Sequence, residues 1–183
     1  MLRITRTYMA IIGLAFMLGM GLMAQIAQAA DLERFAGNYK GSAMVELYDG
    51  SEAKRDLSVS IKPNSEGFRL EWSTITYRDS GAKEKRYVIN FVDSAREGVF
   101  AAAMKRNVFG HEVPLAPMKG KPYLGARIKD DTLSVYSLFV NSDGSYELQQ
   151  YDRTLMDGGL QLEFTRLHNG EPLRSISIFL ERE

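Results

Sequence analysis

The chain of 183 residues contains no cysteine, only two histidines and one tryptophan, and its formal net charge is zero. The absence of cysteine excludes disulfides, thiolate nucleophiles, cysteine-ligated zinc and iron–sulfur sites. Balanced charge is not typical of nucleic-acid-binding surfaces, which are strongly basic. With 45% apolar and 25% charged residues, the chain is too apolar to be disordered, and its length suits a single domain.

The long apolar run of the sequence lies near its start. Arg3 and Arg6 precede an uncharged run from Met9 to Ala24, and Ala27-Gln28-Ala29 follows it. A positive start, a short apolar centre and a small-residue exit are typical of a secretory signal peptide. A membrane-spanning helix needs ~20 apolar residues. We therefore predict a cleaved signal peptide over residues 1–29 and a periplasmic or secreted protein without stable membrane insertion, with an uncleaved anchor as the alternative.

Beyond Asp31 the chain alternates strand-like runs with turn signals. Gly, Asn and Asp in the links, as in Asp157-Gly158 and Asn169-Gly170, tolerate the positive φ of tight hairpins. Strands joined by such short links are antiparallel neighbours. The predicted runs are 39–48, 54–63, 67–78, 84–92, 98–104, 122–129, 132–141, 145–153, 159–168 and 172–182.

Apolar residues alternate with polar ones within these runs, as expected for a sheet with one buried face. Two breaks in the alternation, between Trp72 and Ile75 and between Val135 and Tyr136, each predict a one-residue bulge. A row of sequential antiparallel strands with one apolar face must close on itself. Residues 30–183 are therefore predicted to form one all-β domain, an antiparallel up-and-down barrel of about 8–10 strands, with a sandwich as the alternative.

The segment Asp31–Gly41 contains Gly37-Asn38-Tyr39. It resembles the start of a lipocalin-type (calycin) barrel, in which a short helical turn closes one end and Gly-x-Trp opens the first strand; here tyrosine replaces tryptophan. Lipocalins also set a late arginine against that ring, for which Arg166 and Arg182 are the candidates. The resemblance implies an N-terminal helical turn, a lipocalin-like barrel and a cavity for a small, largely apolar molecule. It is also compatible with fatty-acid-binding and nitrobindin-like barrels.

One link is much longer than the others. Residues 105–121 contain Pro114 and Pro117, which exclude regular helix or central strand, and such a long link is usually functional or disordered. Its apolar residues predict a lid or plug, whose Phe109, His111 and Met118 would contact a ligand. Its four cations would attract an anionic headgroup, unless they only keep the loop soluble.

Two strand positions complete the predicted ligand site. Arg127 shares a face with Tyr123, and if that face points inward, a cation beside a phenol would suit an acidic ligand. An unpaired buried arginine costs several kcal/mol, so its counter-ion would be an internal acid or the ligand. The alternative is a solvent-facing arginine. Trp72 is either a pocket wall or part of the core.

Evidence for catalysis or metal binding is thin. The chain has no Gly-x-Ser-x-Gly motif, and Pro114 breaks the helix that His111-Glu112 would need for a zinc site. We therefore predict no enzyme activity, no metal and no cofactor. Haem held by His168 or His111 is an alternative, because nitrobindin-like barrels bind haem through a histidine near the C-terminus.

The predicted function is that of an exported lipocalin-like barrel that binds or carries a small apolar or amphipathic ligand and does not bind nucleic acid. A filled barrel that contacts another envelope protein is the second candidate, and a haem-binding barrel is the third.

Overall fold

A computed structural model describes residues 31–46, 50–106, 112–113 and 121–183. A short helix, α1, spans Asp31–Phe35, as the resemblance implied. Twelve strands follow within the described residues: β1 (Gly37–Glu46), β2 (Glu52–Asn64), β3 (Gly67–Arg78), β4 (Gly81–Asp93), β5 (Val99–Ala102), β6 (Lys105–Arg106), β7 (Glu112–Val113), β8 (Tyr123–Lys129), β9 (Thr132–Val140), β10 (Tyr146–Met156), β11 (Gly159–His168) and β12 (Glu171–Arg182).

Ten of these strands form a closed antiparallel barrel in the order β1-β12-β11-β10-β9-β8-β5-β4-β3-β2. Neighbours in the chain are neighbours in the barrel, so the topology is up-and-down and the predicted fold class is confirmed. The hairpin turns form as expected, since Asp130 and Asn169 have φ values of 54° and 50°, and Gly158 and Gly170 also have positive φ. Closure pairs the strand edges, so no crossover of the sandwich type is needed.

The two predicted bulges are wrong. Pairing continues without a shift through Trp72 to Ile75 on β3 and through Val135 to Tyr136 on β9. The alternation breaks because Ile75 and Tyr136 are apolar residues on the outer face of the barrel, where both are only partly buried. The irregularity in register lies instead between Arg166 and Leu167, opposite β12.

One end of the barrel is filled by side chains. Phe68 stacks on Phe91 with ring centroids 4.9 Å apart and meets the edge of Phe100 at 5.0 Å. All three are essentially inaccessible to solvent, as are Leu133 and Leu160. Full burial of such side chains contributes about 1.5–3 kcal/mol each, so this closed end is the hydrophobic core.

The closed end also contains the aromatic–arginine pair that the lipocalin resemblance implied. Arg182 lies over the Tyr39 ring, 5.2 Å from its centroid, and its Nη2 donates to the Tyr39 hydroxyl at 2.7 Å. That hydroxyl donates to the Phe35 carbonyl at 2.9 Å. Burial raises the pKa of Tyr39, and the charge of Arg182 opposes the rise. Of the two candidates, Arg182 takes this place, and Arg166 lies elsewhere.

Barrel closure between β1 and β12 is short. The paired residues are Tyr39 with Arg182 and Lys40 with Glu181, whereas β1 pairs with β2 along its full length. Towards the other end β1 and β12 separate, and the Arg174 side chain bridges them by donating to the Glu46 carbonyl. This line of limited pairing is called the seam below.

Of the predicted lid, the structure describes Lys121 and the strands β6 and β7, which pair with each other in a separate two-stranded ladder. Its remainder and the predicted signal peptide lie outside the described residues, so both stay predictions. Within the described part of the chain, no helix is long and apolar enough to cross a membrane.

Candidate functional site

The half of the barrel away from the closed end contains a cavity of about 310 Å³. That volume corresponds to about ten water-sized groups of ~30 Å³ and lies at the lower end of small-ligand sites. Strands β2, β3, β4, β10, β11 and β12 form its walls. The lining residues are aromatic (Trp72, Tyr87, Tyr151, Phe164), aliphatic (Leu57, Val59, Leu162, Ile176), cationic (Arg55, Arg78, Lys83, Lys85, Arg153, Arg166, Arg174) and neutral polar (Ser58, Ser73, Thr74, Thr76, Gln149).

Aromatic rings from four strands, β3, β4, β10 and β11, form a continuous belt around the cavity. Trp72 stacks on Tyr87 with centroids 5.0 Å apart, and its ring is 5.7 Å from that of Tyr151. Tyr151 in turn meets Phe164 at 4.7 Å. Burial raises the pKa of Tyr151, so the phenol stays neutral at ordinary pH. The belt offers flat apolar walls to the middle of a ligand.

Arg153 forms the floor of the cavity. It lies on β10 between Leu133 and Leu162 of the neighbouring strands, and its exposed fraction is 1%. Its guanidinium carbon is 5.8 Å from the Trp72 ring centroid and 5.6 Å from that of Tyr151. These two cation–π contacts orient the group beneath the aromatic belt.

Among the described residues, no carboxylate forms an ion pair with the guanidinium of Arg153. Its Nε and Nη1 atoms are buried and have no hydrogen-bond partner in this part of the chain. Burial lowers the pKa of Arg153 from its ordinary value to about 10, so the side chain remains charged at neutral pH. A buried, charged and unpaired donor is rare and costly in proteins. An anion in the cavity would supply the missing acceptor.

Positive charge increases from the floor towards the open end of the barrel. On β11 the inward positions pass from Leu160 through Phe164 to Arg166, and on β12 from Leu180 to Arg174, as burial and register indicate. A similar change to cations occurs on β2, β3 and β4, but not on β10, whose inward residues beyond Arg153 are Tyr151, Gln149 and Glu147. We call the resulting group at the open end the mouth cations: Arg55, Arg78, Lys83, Lys85, Arg166 and Arg174.

Acidic groups take little part in the cavity. Among the described residues, no Asp or Glu lines it. Glu147, at the edge, accepts two hydrogen bonds from Arg166 at 2.7 and 3.0 Å.

Arg55 donates through Nε to the Thr76 hydroxyl at 3.1 Å. The pKa of Arg55 is lowered first by burial and then by the charges of Arg174 and Arg78. Among the mouth cations, Arg55 is therefore close enough to Arg78 and Arg174 for their charges to repel.

The predicted site residues do not all line the cavity. Trp72 lines the cavity. Tyr123 is 54% exposed and Arg127 is also exposed, because the opposite face of β8, with Ala126, is the buried one. Arg127 therefore faces outward and provides no interior cation. Phe109, His111 and Met118 lie outside the described residues.

The central residue of the cavity, Arg153, was not predicted. Both faces of β10 mix polar and apolar residues, so the alternation did not indicate whether the Arg153 side chain points inward or outward. The turn at Asp157-Gly158 nevertheless places Arg153 opposite Leu162, which does belong to a recognisable apolar face. Cross-strand partners share a face, and counting back from that turn would have assigned Arg153 to the interior.

The seam forms a second, larger groove of about 860 Å³ between β1 and β12. Its walls include several serines and charges of both signs, such as Lys40, Asp56 and Glu181. Within the described residues, the buried side-chain nitrogens and oxygens without partners belong to Arg153 and not to this groove. The interior cavity, which contains these buried donors without partners, is therefore the better candidate for a ligand site.

The described residues contain no group of three or more His, Asp or Glu side chains suited to hold a metal ion. The ten-stranded antiparallel barrel is consistent with a calycin-like fold. Comparison with protein-family models, curated proteins and solved structures finds no match to this chain.

Proposed function

We propose that this barrel binds, without catalysis, a small amphipathic ligand whose anionic group pairs with Arg153. The single observation that carries the proposal is the buried guanidinium with two unsatisfied nitrogens, at the floor of a cavity with aromatic walls. A carboxylate, sulfate or phosphate oxygen would accept from these donors with charge-assisted hydrogen bonds. The aromatic belt would cover the apolar part of the molecule.

The size of the cavity sets the expected affinity. Burial of about ten methylene groups yields roughly 8 kcal/mol at ~0.8 kcal/mol each, and association costs at least ~4 kcal/mol. A charge-assisted bond adds ~1.5–3 kcal/mol. A single-chain anion of this size is therefore expected to bind with a Kd of about 10–100 µM.

Trp72 provides the assay, because it is the only tryptophan and it lines the cavity. Decanoate and decanol have the same chain and differ in charge at about pH 8, where the carboxylate is ionised. Decanoate should change Trp72 fluorescence saturably and bind at least about ten times more tightly than decanol. Arg153→Met should abolish this preference, and Arg127→Met, a matched change at an exposed arginine, should retain it. Equal binding of the two molecules by the unaltered protein would contradict the proposal.

We also propose that the protein acts in the periplasm or outside the cell. Arg3 and Arg6, the apolar run after them and Ala27-Gln28-Ala29 support export. In a Gram-negative host, a C-terminally tagged full chain should appear in the osmotic-shock fraction with residues 1–29 removed. The same chain expressed without those residues should stay in the cytoplasm. Retention of both forms in the cytoplasm would contradict export.

A further inference from the structure

The mouth cations form a second positive level in the cavity, separate from Arg153. Arg55, Thr76 and Lys83 occupy one row across β2, β3 and β4. Four residues along β2 separate Arg55 from Val59, which pairs with Trp72. At ~3.3 Å per residue, this separation is about 13 Å. The aromatic belt thus lies between a cation at the floor and cations at the mouth.

The core beneath Arg153 leaves no room for an apolar tail. Leu160 and Leu180, the next inward residues towards the closed end on β11 and β12, are fully buried, and neither lines the cavity. A ligand with its anionic group on Arg153 must therefore extend upward along the belt. Its far end then arrives among Arg55, Lys83 and the other mouth cations, where no carboxylate of the described residues lines the cavity.

A neutral apolar tail suits this position poorly, because it would displace water from charged groups and offer them no acceptor. A second anionic group would instead reduce the mutual repulsion of the mouth cations and accept hydrogen bonds from them. We infer that the ligand is a dianion with an anionic group at each end of a short apolar spacer, one end on Arg153 and the other at the mouth cations. This inference rests on the proposed function and specifies its ligand class.

Three ligands of equal chain length test the inference by Trp72 fluorescence: decanedioate, ω-hydroxydecanoate and decanoate. Decanedioate should bind about ten times more tightly than ω-hydroxydecanoate, the low end of the effect of a charge-assisted hydrogen bond. The hydroxyl-ended ligand controls for polarity at the far end. The double variant Arg55→Gln/Lys83→Gln should reduce decanedioate to the affinity of ω-hydroxydecanoate, so that the ratio of the two affinities falls from about ten to about one.

Two controls separate the charge at the mouth from charge elsewhere. Arg127→Gln/Lys129→Gln removes the same charge from exposed positions of β8 and should retain the preference for decanedioate. Arg153→Met should weaken all three ligands, since each carries a carboxylate.

The outcomes test the dianionic ligand separately from the proposed function. Equal binding of decanedioate and ω-hydroxydecanoate, with Arg153-dependent decanoate binding intact, overturns the dianion and leaves the proposed function standing. Tightest binding of decanoate also overturns it, and would indicate that an apolar tail leaves through the seam. Failure of all three ligands to bind removes the proposed function as well.

Discussion

Replacement of Arg153 by methionine should make the protein more stable while it loses its ligand. Burial lowers the pKa of Arg153 from the ordinary value of an arginine to about 10. Each pKa unit corresponds to 1.36 kcal/mol, so the charged side chain costs the folded state about 3 kcal/mol. Because the unfolded chain holds this proton more tightly, the cost is present in full below pH ~10 and is relieved as the pH rises above that value. At neutral pH this cost therefore lowers the stability of the folded protein.

Arg153→Met removes the charge and keeps an unbranched side chain in contact with the aromatic belt. The change also removes two cation–π contacts, worth ~0.5–1 kcal/mol each. The expected net gain in the free energy of unfolding is about 1–2 kcal/mol, which raises the Tm by about 2–8 °C in a chain of this size. Replacement of buried charge by apolar groups has this sign in other proteins.

Urea unfolding measures the gain directly, as a higher midpoint with an unchanged m value. Arg127→Met is the matched control, and its unfolding free energy should stay within about 0.5 kcal/mol of the unaltered protein. Decanoate should raise the Tm of the unaltered protein and not that of Arg153→Met, since only ligand that binds the folded state stabilises it. A less stable Arg153→Met, with Arg127→Met unchanged, would refute the reasoning, because Arg153 would then support the fold.

Three further changes test the closed end, the packing of the strands and the edge of the mouth. Arg182→Met should lower the unfolding free energy by about 1–3 kcal/mol in urea, because the buried phenol at the closed end loses a charged donor; no loss would show that the pair is dispensable. Gly159→Ala should cost about 1–3 kcal/mol in the same assay, since a Cβ there would lie 2.1 Å from the Leu180 carbonyl oxygen. The pKa of Glu147 lies below its usual value because Arg166 donates to it, so this carboxylate stabilises the fold above its ordinary pKa of 4.5 and loses that effect as the pH falls. Glu147→Gln should flatten the decline of stability in acid, and an unchanged acid profile would contradict this assignment.

Local turn chemistry explains why the fold was predictable from the sequence. Asp157-Gly158 and Asn169-Gly170 adopt the positive φ values that their residue types tolerate, and the strands between them therefore follow in order. The run predicted over 159–168 coincides with β11. The alternation failed at Ile75 and Tyr136 because both are apolar on the outer face, and pattern alone cannot distinguish an outward apolar residue from a bulge.

The candidate site was less predictable because its residues come from six strands. Trp72 was recognised by its type, but its neighbours Tyr87 and Tyr151 are distant in sequence and meet it only after closure. Arg127 and Arg153 are both arginines in strands, and only register separates the outward one from the inward one. The cost of burying an unpaired arginine, which the sequence raised for Arg127, concerns Arg153 instead, whose Nε and Nη1 are buried without a hydrogen-bond partner among the described residues.

The short contact between β1 and β12 has a consequence for how the ring is assembled. Tyr39 and Arg182, which meet there, are separated by 143 positions, so this contact has the long sequence separation that slows folding. A nascent chain can complete each hairpin as it emerges, but the ring cannot close until β12 has been synthesised. Until then β1 and β11 present bare edges to other chains, which is the condition under which β proteins aggregate.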